Sequence, residues 1–262
     1  LNEIATTIEQ MENEINHYLK KLKSEKKIRQ EFFDNASHEL KTPLTSIRGY
    51  GELLRSGVVN DPKQAQECVD RILKETTHMT ALITDILMIS RLEGNDVVEK
   101  KADIALRPAV EEICKSFSPL ANEHRVMLEM QCETLCVHMS QKHIEQLIGN
   151  LISNAIKYNH EGGTVDVLIR RQENLLVITV EDSGIGISKE DEKHIFERFY
   201  RVDKGRSRKI GGTGLGLSIV KHIVRYYQGK IDLFSRENIG TTITVTLPDV
   251  IVDEPKDAAK TE

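Results

Sequence analysis

The chain has 262 residues with 36 Lys and Arg against 41 Asp and Glu, a net charge of −5, and this mild balance argues against nucleic acid as its main partner. That length leaves room for two modest domains, each able to hold a core. Cys68, Cys114, Cys132 and Cys136 have no CxxC spacing and no companion His–Cys set, so they read as reduced thiols rather than metal ligands. No apolar run reaches the roughly 18 residues needed to span a bilayer, and there is no signal peptide. Opening in mid-helix at Leu1, the chain reads as the cytoplasmic part of a protein anchored in a membrane through segments absent from this sequence.

Ile4, Ile8, Met11, Ile15, Tyr18 and Leu22 recur at alternating spacings of four and three, the seam of a parallel dimeric coiled coil over residues 1–27. Near residues 24–28 the seam positions turn polar and Ile28 and Phe32 take over, a register change that alters the winding of a coil. The first helix is predicted to continue to about Ser56, with Phe33, Leu40, Leu44, Ile47, Gly51 and Leu54 as its apolar stripe. At about 100° per residue, His38 lies roughly 160° from Leu40, and Thr42 sits beside it on the outward face. This histidine is therefore presented outward rather than packed. Glu39 stands at the edge of the same face, where a carboxylate can accept an imidazole N–H. Pro43 lacks an N–H and clashes with the Glu39 carbonyl, which predicts a bend past the histidine.

Residues 57–62 read as a turn, with Asp61 as N-cap and Pro62 at the first helical position. A second helix is predicted from Pro62 to about Leu92, with Val69, Ile72, Met79, Ile83 and Ile86 on its apolar face. Two such hairpins (residues 28–93) from two chains would make a four-helix bundle. Residues 94–101 form a short polar linker, opened by Gly94-Asn95.

From Lys101 the periodicity changes. Helices are predicted over 108–122, 140–158 and 216–227, with a short one near 191–196. Strands are predicted over 126–132, 164–170, 175–181, 230–235 and 241–246. Such a mixture, with strands clustered late, gives an α+β sandwich over 102–249 with helices on one face of the sheet. The polar residues 250–262 read as a disordered tail.

On the 140–158 helix, Ile144, Leu147, Ile148, Leu151 and Ala155 form the stripe to be buried, and Asn150, Asn154 and Lys157 line one edge of it. An amide oxygen is a hard ligand suited to Mg²⁺, and a lysine suits phosphate. Asp182-Ser183-Gly184-Ile185-Gly186 follows a strand, so the backbone can approach a ligand beside a carboxylate. Gly212-Thr213-Gly214-Leu215-Gly216 opens a helix whose N-terminal N–H groups attract phosphate oxygens, and it lacks the Gly-Lys-Ser/Thr of a P-loop.

Residues 33–45, Phe-Asp-Asn-Ala-Ser-His-Glu-Leu-Lys-Thr-Pro-Leu-Thr, closely resemble the H box of two-component sensor histidine kinases of the HisKA type. Residues 150–158 resemble the N box of that family, 181–187 its G1 box, 196–201 its F box and 212–217 its G2 box, in the family's order and with no departure at the key positions. The resemblance implies a HisKA dimerisation and phosphoacceptor hairpin followed by a Bergerat (GHKL) ATP-binding domain. It implies that His38 accepts the γ-phosphoryl of ATP, that Glu39 orients the ring and takes its proton, and that Thr42 helps to dephosphorylate a partner regulator. It assigns Asn154 to Mg²⁺ and Asp182 to the adenine N6. Asn150, Lys157, Tyr158, Gly184, Gly186, Gly212, Thr213, Gly214, Leu215 and Gly216 would surround the nucleotide. Arg201 would reach the γ-phosphate, and Lys204, Arg206, Arg208 and Lys209 would belong to a lid. The implied protein is a homodimer on the cytoplasmic side of a bacterial inner or plasma membrane, passing its phosphoryl group to the receiver domain of a response regulator. Competing readings are a member acting mainly as a phosphatase, a GHKL ATPase without phosphotransfer, and a coiled-coil adaptor, though the last leaves the Asn and Gly boxes unexplained.

Overall fold

The computed structural model describes residues 2–93, 100–202 and 212–252. Most of the expected linker, the basic residues Lys204, Arg206, Arg208 and Lys209, and the end of the expected tail (253–262) lie outside these described residues. The chain divides into two compact units, residues 1–81 and 82–262.

The first unit is helical. Helix α1 runs through Asn2–Arg55 with Pro43 inside it, and α2 runs through Pro62–Glu93, its last twelve residues belonging to the second unit. The α2 start is capped as the sequence predicts, with the Lys63 N–H donating to Asp61 Oδ1 at 3.2 Å. Within a single chain the apolar stripe of α1 is covered only in part. Phe33 and Leu44 are 52% and 57% exposed, whereas Phe32, Ala36 and Pro43 are buried. On α2, Val69 and Ile83 are likewise exposed and Cys68 is buried. A single chain thus covers one flank of each helix and leaves the other apolar flank bare. Along the coil, Met11, Ile15, Tyr18 and Leu22 are exposed as well.

The second unit is an α/β sandwich. After β1 (Ala102–Ala105), helix α3 (Leu106–His124) leads into β2 (Met127–Cys132) and β3 (Cys136–Met139). Helix α4 (Gln141–Lys157) precedes the hairpin of β4 (Thr164–Gln172) and β5 (Leu175–Asp182). A 3₁₀ turn at Asp191–Lys193 is followed by α5 (Gly216–Tyr226), β6 (Lys230–Arg236), β7 (Gly240–Pro248) and β8 (Ile251–Val252). Five strands form the main sheet in the order β2-β4-β5-β7-β6, parallel only between β2 and β4. A small antiparallel sheet has the order β1-β3-β8.

Alternation fixes which face of the main sheet is covered. Val165, Val167 and Ile169 on β4 and Ile243, Val245 and Leu247 on β7 are buried, and their neighbours Asp166 and Arg170 are exposed. The sequence pattern does not reveal β1, β3 or β8, because strands of two to four residues are too short to show a period. The expectation of a disordered tail from residue 250 needs correction at Ile251 and Val252, which pair with Val137 and Cys136. Ile144, Leu147, Ile148, Leu151 and Ala155 of α4 are all buried, the stripe its spacing predicts. Leu147→Ala is expected to lower stability by about 3 kcal/mol through a cavity in this core, measured by urea unfolding followed by circular dichroism.

Candidate functional site

Two clusters carry the chemistry, one in each unit. On α1, His38 is exposed. The Thr42 hydroxyl donates to the His38 backbone carbonyl at 3.3 Å, which holds Thr42 one turn along the same face. Glu39 is half-buried beside them. Pro43 can give no N–H to the Glu39 carbonyl, so that acceptor stays open immediately after the histidine.

The second cluster is built on α4. Burial of its apolar stripe leaves Asn150, Asn154 and Lys157 half-buried along one edge. The Asn150 amide N–H₂ donates to the Gln146 carbonyl at 2.8 Å and to its side-chain oxygen at 3.2 Å. Asn150 Oδ1 is thereby turned toward the start of α5, where a Cβ on Gly216 would come within 2.8 Å of it. Only glycine lets the two helices meet this closely. The Asn154 side-chain amide makes no hydrogen bond among the described residues, and its oxygen is the hard donor a divalent cation takes. Burial pushes the Lys157 ammonium down, opposed by Asp85 and reinforced by the charge of Arg201. Burial also pushes the Tyr158 phenol up. Lys157 and Arg201 are thus held close enough to repel one another, an arrangement that a polyanion would relieve.

Asp182 ends β5. Burial pushes its carboxyl up to about 6, against backbone N–H groups of Gly184 and Thr241 that favour the charged form. The Gly184 N–H donates to Asp182 Oδ1 at 2.8 Å, and Gly184 itself is buried under the Tyr158 carbonyl. Gly186 sits at φ +66°, where a Cβ would strike the carbonyl of Arg236. At the other side, Gly212 lies near the Tyr158 hydroxyl, and the Gly214 carbonyl accepts the Phe199 N–H at 2.8 Å. The Leu215 N–H donates to Thr213 Oγ1 at 3.2 Å, and Leu215 is buried. Asn150, Asn154, Lys157, Tyr158, Asp182, Thr213 and Arg201 are therefore all in the second unit, on elements that the same core fixes.

Three groups near this site escape the sequence reading. Asp85 of α2 accepts a hydrogen bond from Thr213 Oγ1 at 2.8 Å, across 128 residues of chain. Asp191 takes the Tyr200 hydroxyl at 2.5 Å and the Ser188 hydroxyl at 2.6 Å, which anchors the segment just before Arg201. The Thr241 amide faces Asp182 from β7. Of these, only Ser188-x-x-Asp191 has a readable spacing, that of a capping box.

Comparison with known proteins follows the same division. Residues 28–95 match the His Kinase A (phospho-acceptor) domain, and residues 139–251 match the histidine kinase-, DNA gyrase B- and HSP90-like ATPase family. Sensor histidine kinase WalK of Bacillus subtilis (strain 168) is 41% identical over 223 residues, which cover 84% of this chain and 36% of that protein. The chain thus spans little more than a third of the length of this relative. Histidine kinase AdeS of Acinetobacter baumannii shares the fold with a TM-score of 0.67 at 24% identity, over 80% of this chain and 97% of that one. Histidine kinase ThkA, solved in complex with the response regulator protein TrrA, superposes with a TM-score of 0.65 at 24% identity, over 83% of this chain and 61% of that one.

The raised Asp182 carboxyl has a definite consequence for stability. The fold binds this proton more tightly than the unfolded chain does, so the contribution is complete below the unfolded value near 3.9 and is lost as pH rises through about 6. At neutral pH the buried charge costs on the order of 3 kcal/mol. Asp182→Asn is expected to raise the melting temperature by roughly 5 °C at pH 7.5, with the gain fading by pH 4, as read in parallel thermal melts.

Proposed function

This chain belongs to the sensor histidine kinase family, and on that premise we propose that it phosphorylates its own His38 from ATP and passes the phosphoryl group to an aspartate of a response regulator. The observation that carries the proposal is the pairing, in one chain, of an exposed His38–Thr42 strip with half-buried Asn154, Lys157, Arg201 and Asp182 in the second unit. An ATPase without phosphotransfer would need only the second.

In this reading Asp182 accepts a hydrogen bond from the exocyclic amine of adenine. Gly184 and Gly216 let the Tyr158 carbonyl and the Asn150 side chain pack directly against the backbone of the two Gly-rich segments. Lys157, Thr213 and the N–H groups at the start of α5 face the phosphates, and Arg201 the terminal one. Mg²⁺, where bound, neutralises charge on the phosphate oxygens, and the Asn154 amide oxygen is the group that would hold it. The unprotonated ring nitrogen of His38 attacks the γ-phosphorus, and a P–N bond forms as the bond to the β-phosphate oxygen breaks and ADP leaves. Glu39 takes the proton from the other ring nitrogen, so no positive charge accumulates on the ring. The phosphoryl group then moves to a carboxylate oxygen of the receiver domain. Positioning and charge neutralisation provide the acceleration.

The bare apolar flanks of α1 and α2 and the exposed Met11, Ile15, Tyr18 and Leu22 support a homodimer paired along these helices. The ThkA–TrrA complex supports a receiver domain as partner. None of the described helices is long and apolar enough to cross a membrane. The chain spans 36% of WalK, and in this reading the sensing and membrane-anchoring parts lie outside this sequence and the chain stands on the cytoplasmic side.

Incubation with γ-labelled ATP and Mg²⁺ tests the reaction. The expected label is lost in acid, kept in alkali and absent from His38→Gln; label that survives in His38→Gln, or none in the parent chain, overturns the assignment. Thr42→Ala is expected to keep the label within about twofold while slowing dephosphorylation of the phosphorylated regulator by tenfold or more, roughly the contribution of one general acid–base or water-orienting group. Equal loss of both activities would remove Thr42 from that role.

A further inference from the structure

Asp85 is an acidic group in a place that the chemistry above does not require. It lies on the part of α2 that belongs to the second unit, on the face of the helix shared by Leu82, Met88 and Ile89, all three buried. The carboxylate is therefore held by its helix rather than free to swing. Its Oδ2 accepts the Thr213 hydroxyl at 2.8 Å. Burial pushes its carboxyl up, while the Thr213 hydrogen bond and the Lys157 charge pull it down. Asp85 in turn counteracts the effect of burial on Lys157, which Arg201 also repels. A carboxylate that holds a hydroxyl, near enough to an ammonium for its charge to be felt, takes a donor that a phosphate oxygen would use.

Resting on the nucleotide reading of this site, we propose that Asp85 is an internal competitor of the phosphates of ATP, holding the Thr213 hydroxyl on the side of the site where Lys157 feels its charge, so that the nucleotide must take this donor from it. Two anions cannot share one partly desolvated set of donors without repulsion. Bound nucleotide therefore requires the Asp85 carboxylate to give up Thr213. The apparent affinity is lowered by the fraction of molecules in which Asp85 holds it. The competition is directed at phosphate alone, because Asp182, assigned to the adenine, is on β5 and hydrogen-bonds Gly184 rather than any residue of α2.

The opposing possibility is that Asp85 supports the site by fixing Thr213 in place, and it predicts the opposite sign. Calorimetric titration of the whole chain with a non-hydrolysable ATP analogue plus Mg²⁺, ADP plus Mg²⁺ and adenosine separates the two. Asp85→Asn keeps an oxygen acceptor for Thr213 and removes the charge; Asp85→Ala removes both. Both variants are expected to bind the ATP analogue and ADP about three- to tenfold more tightly and adenosine unchanged. Unchanged or weaker binding of the phosphorylated ligands overturns the proposal, as does an equal shift for adenosine or a gain confined to Asp85→Ala. Failure of the parent chain and both variants to bind any nucleotide would instead overturn the nucleotide reading, and this inference with it.

Discussion

Helix α4 is packed so completely on one side that Leu147, Ile148 and Ile152 have no solvent contact, and its Asn150–Asn154–Lys157 edge is left at the boundary of the core. The same burial that holds the helix against the sheet determines where those three side chains stand. Asn is a poor choice for a helix interior and lysine resists burial, so the fold carries them at a local disadvantage that the apolar stripe offsets. Everything assigned to the nucleotide is arranged around this edge. Gly216 lets α5 approach Asn150, Gly184 tucks under the carbonyl of Tyr158, and Thr213 and Arg201 come in from the segments on either side of the residues that are not described.

Partial burial also gives the site its electrostatic character. Lys157 is pushed down and Tyr158 and Asp182 are pushed up, all chiefly by desolvation. Only Asp182 is surrounded by donors of its own, from Gly184 and Thr241. A site of this kind is poorer in stability than an apolar one of the same shape and stronger in its attraction for a charged ligand, because each interaction acts where water screens it less. Asp85 belongs to the same balance. It supplies the missing negative charge from within the chain, and a ligand bearing phosphate must displace it.

The helical unit has the opposite character. His38 and Thr42 are on an exposed face, and the apolar residues flanking them are covered on one side only. Phe32 and Ala36 are buried while Phe33 and Leu44 are bare, so each helix carries two apolar faces rather than one. A sum over angles along one helix merges them into a single stripe. That is why the sequence pattern puts Phe33 and Leu44 in one stripe and assigns Phe32 only to the end of the coil seam.

Both long helices, the α+β sandwich and its main strands were legible from periodicity, caps and turn residues, because these elements are long enough to repeat. The N, G1 and G2 boxes were legible as residue types at fixed spacings on predicted elements. The short strands β1, β3 and β8 were not, since their pairing is decided by partners far along the chain. Nor was the Asp85–Thr213 bond, or the anchoring of Tyr200 by Asp191. By itself the sequence determined which groups are available for phosphoryl chemistry and which helices and strands carry them, because both are written in local spacing. Only the tertiary structure decided which of those groups share a donor, which are desolvated and which carboxylate meets Thr213, because burial and long-range contact arise only when distant segments pack.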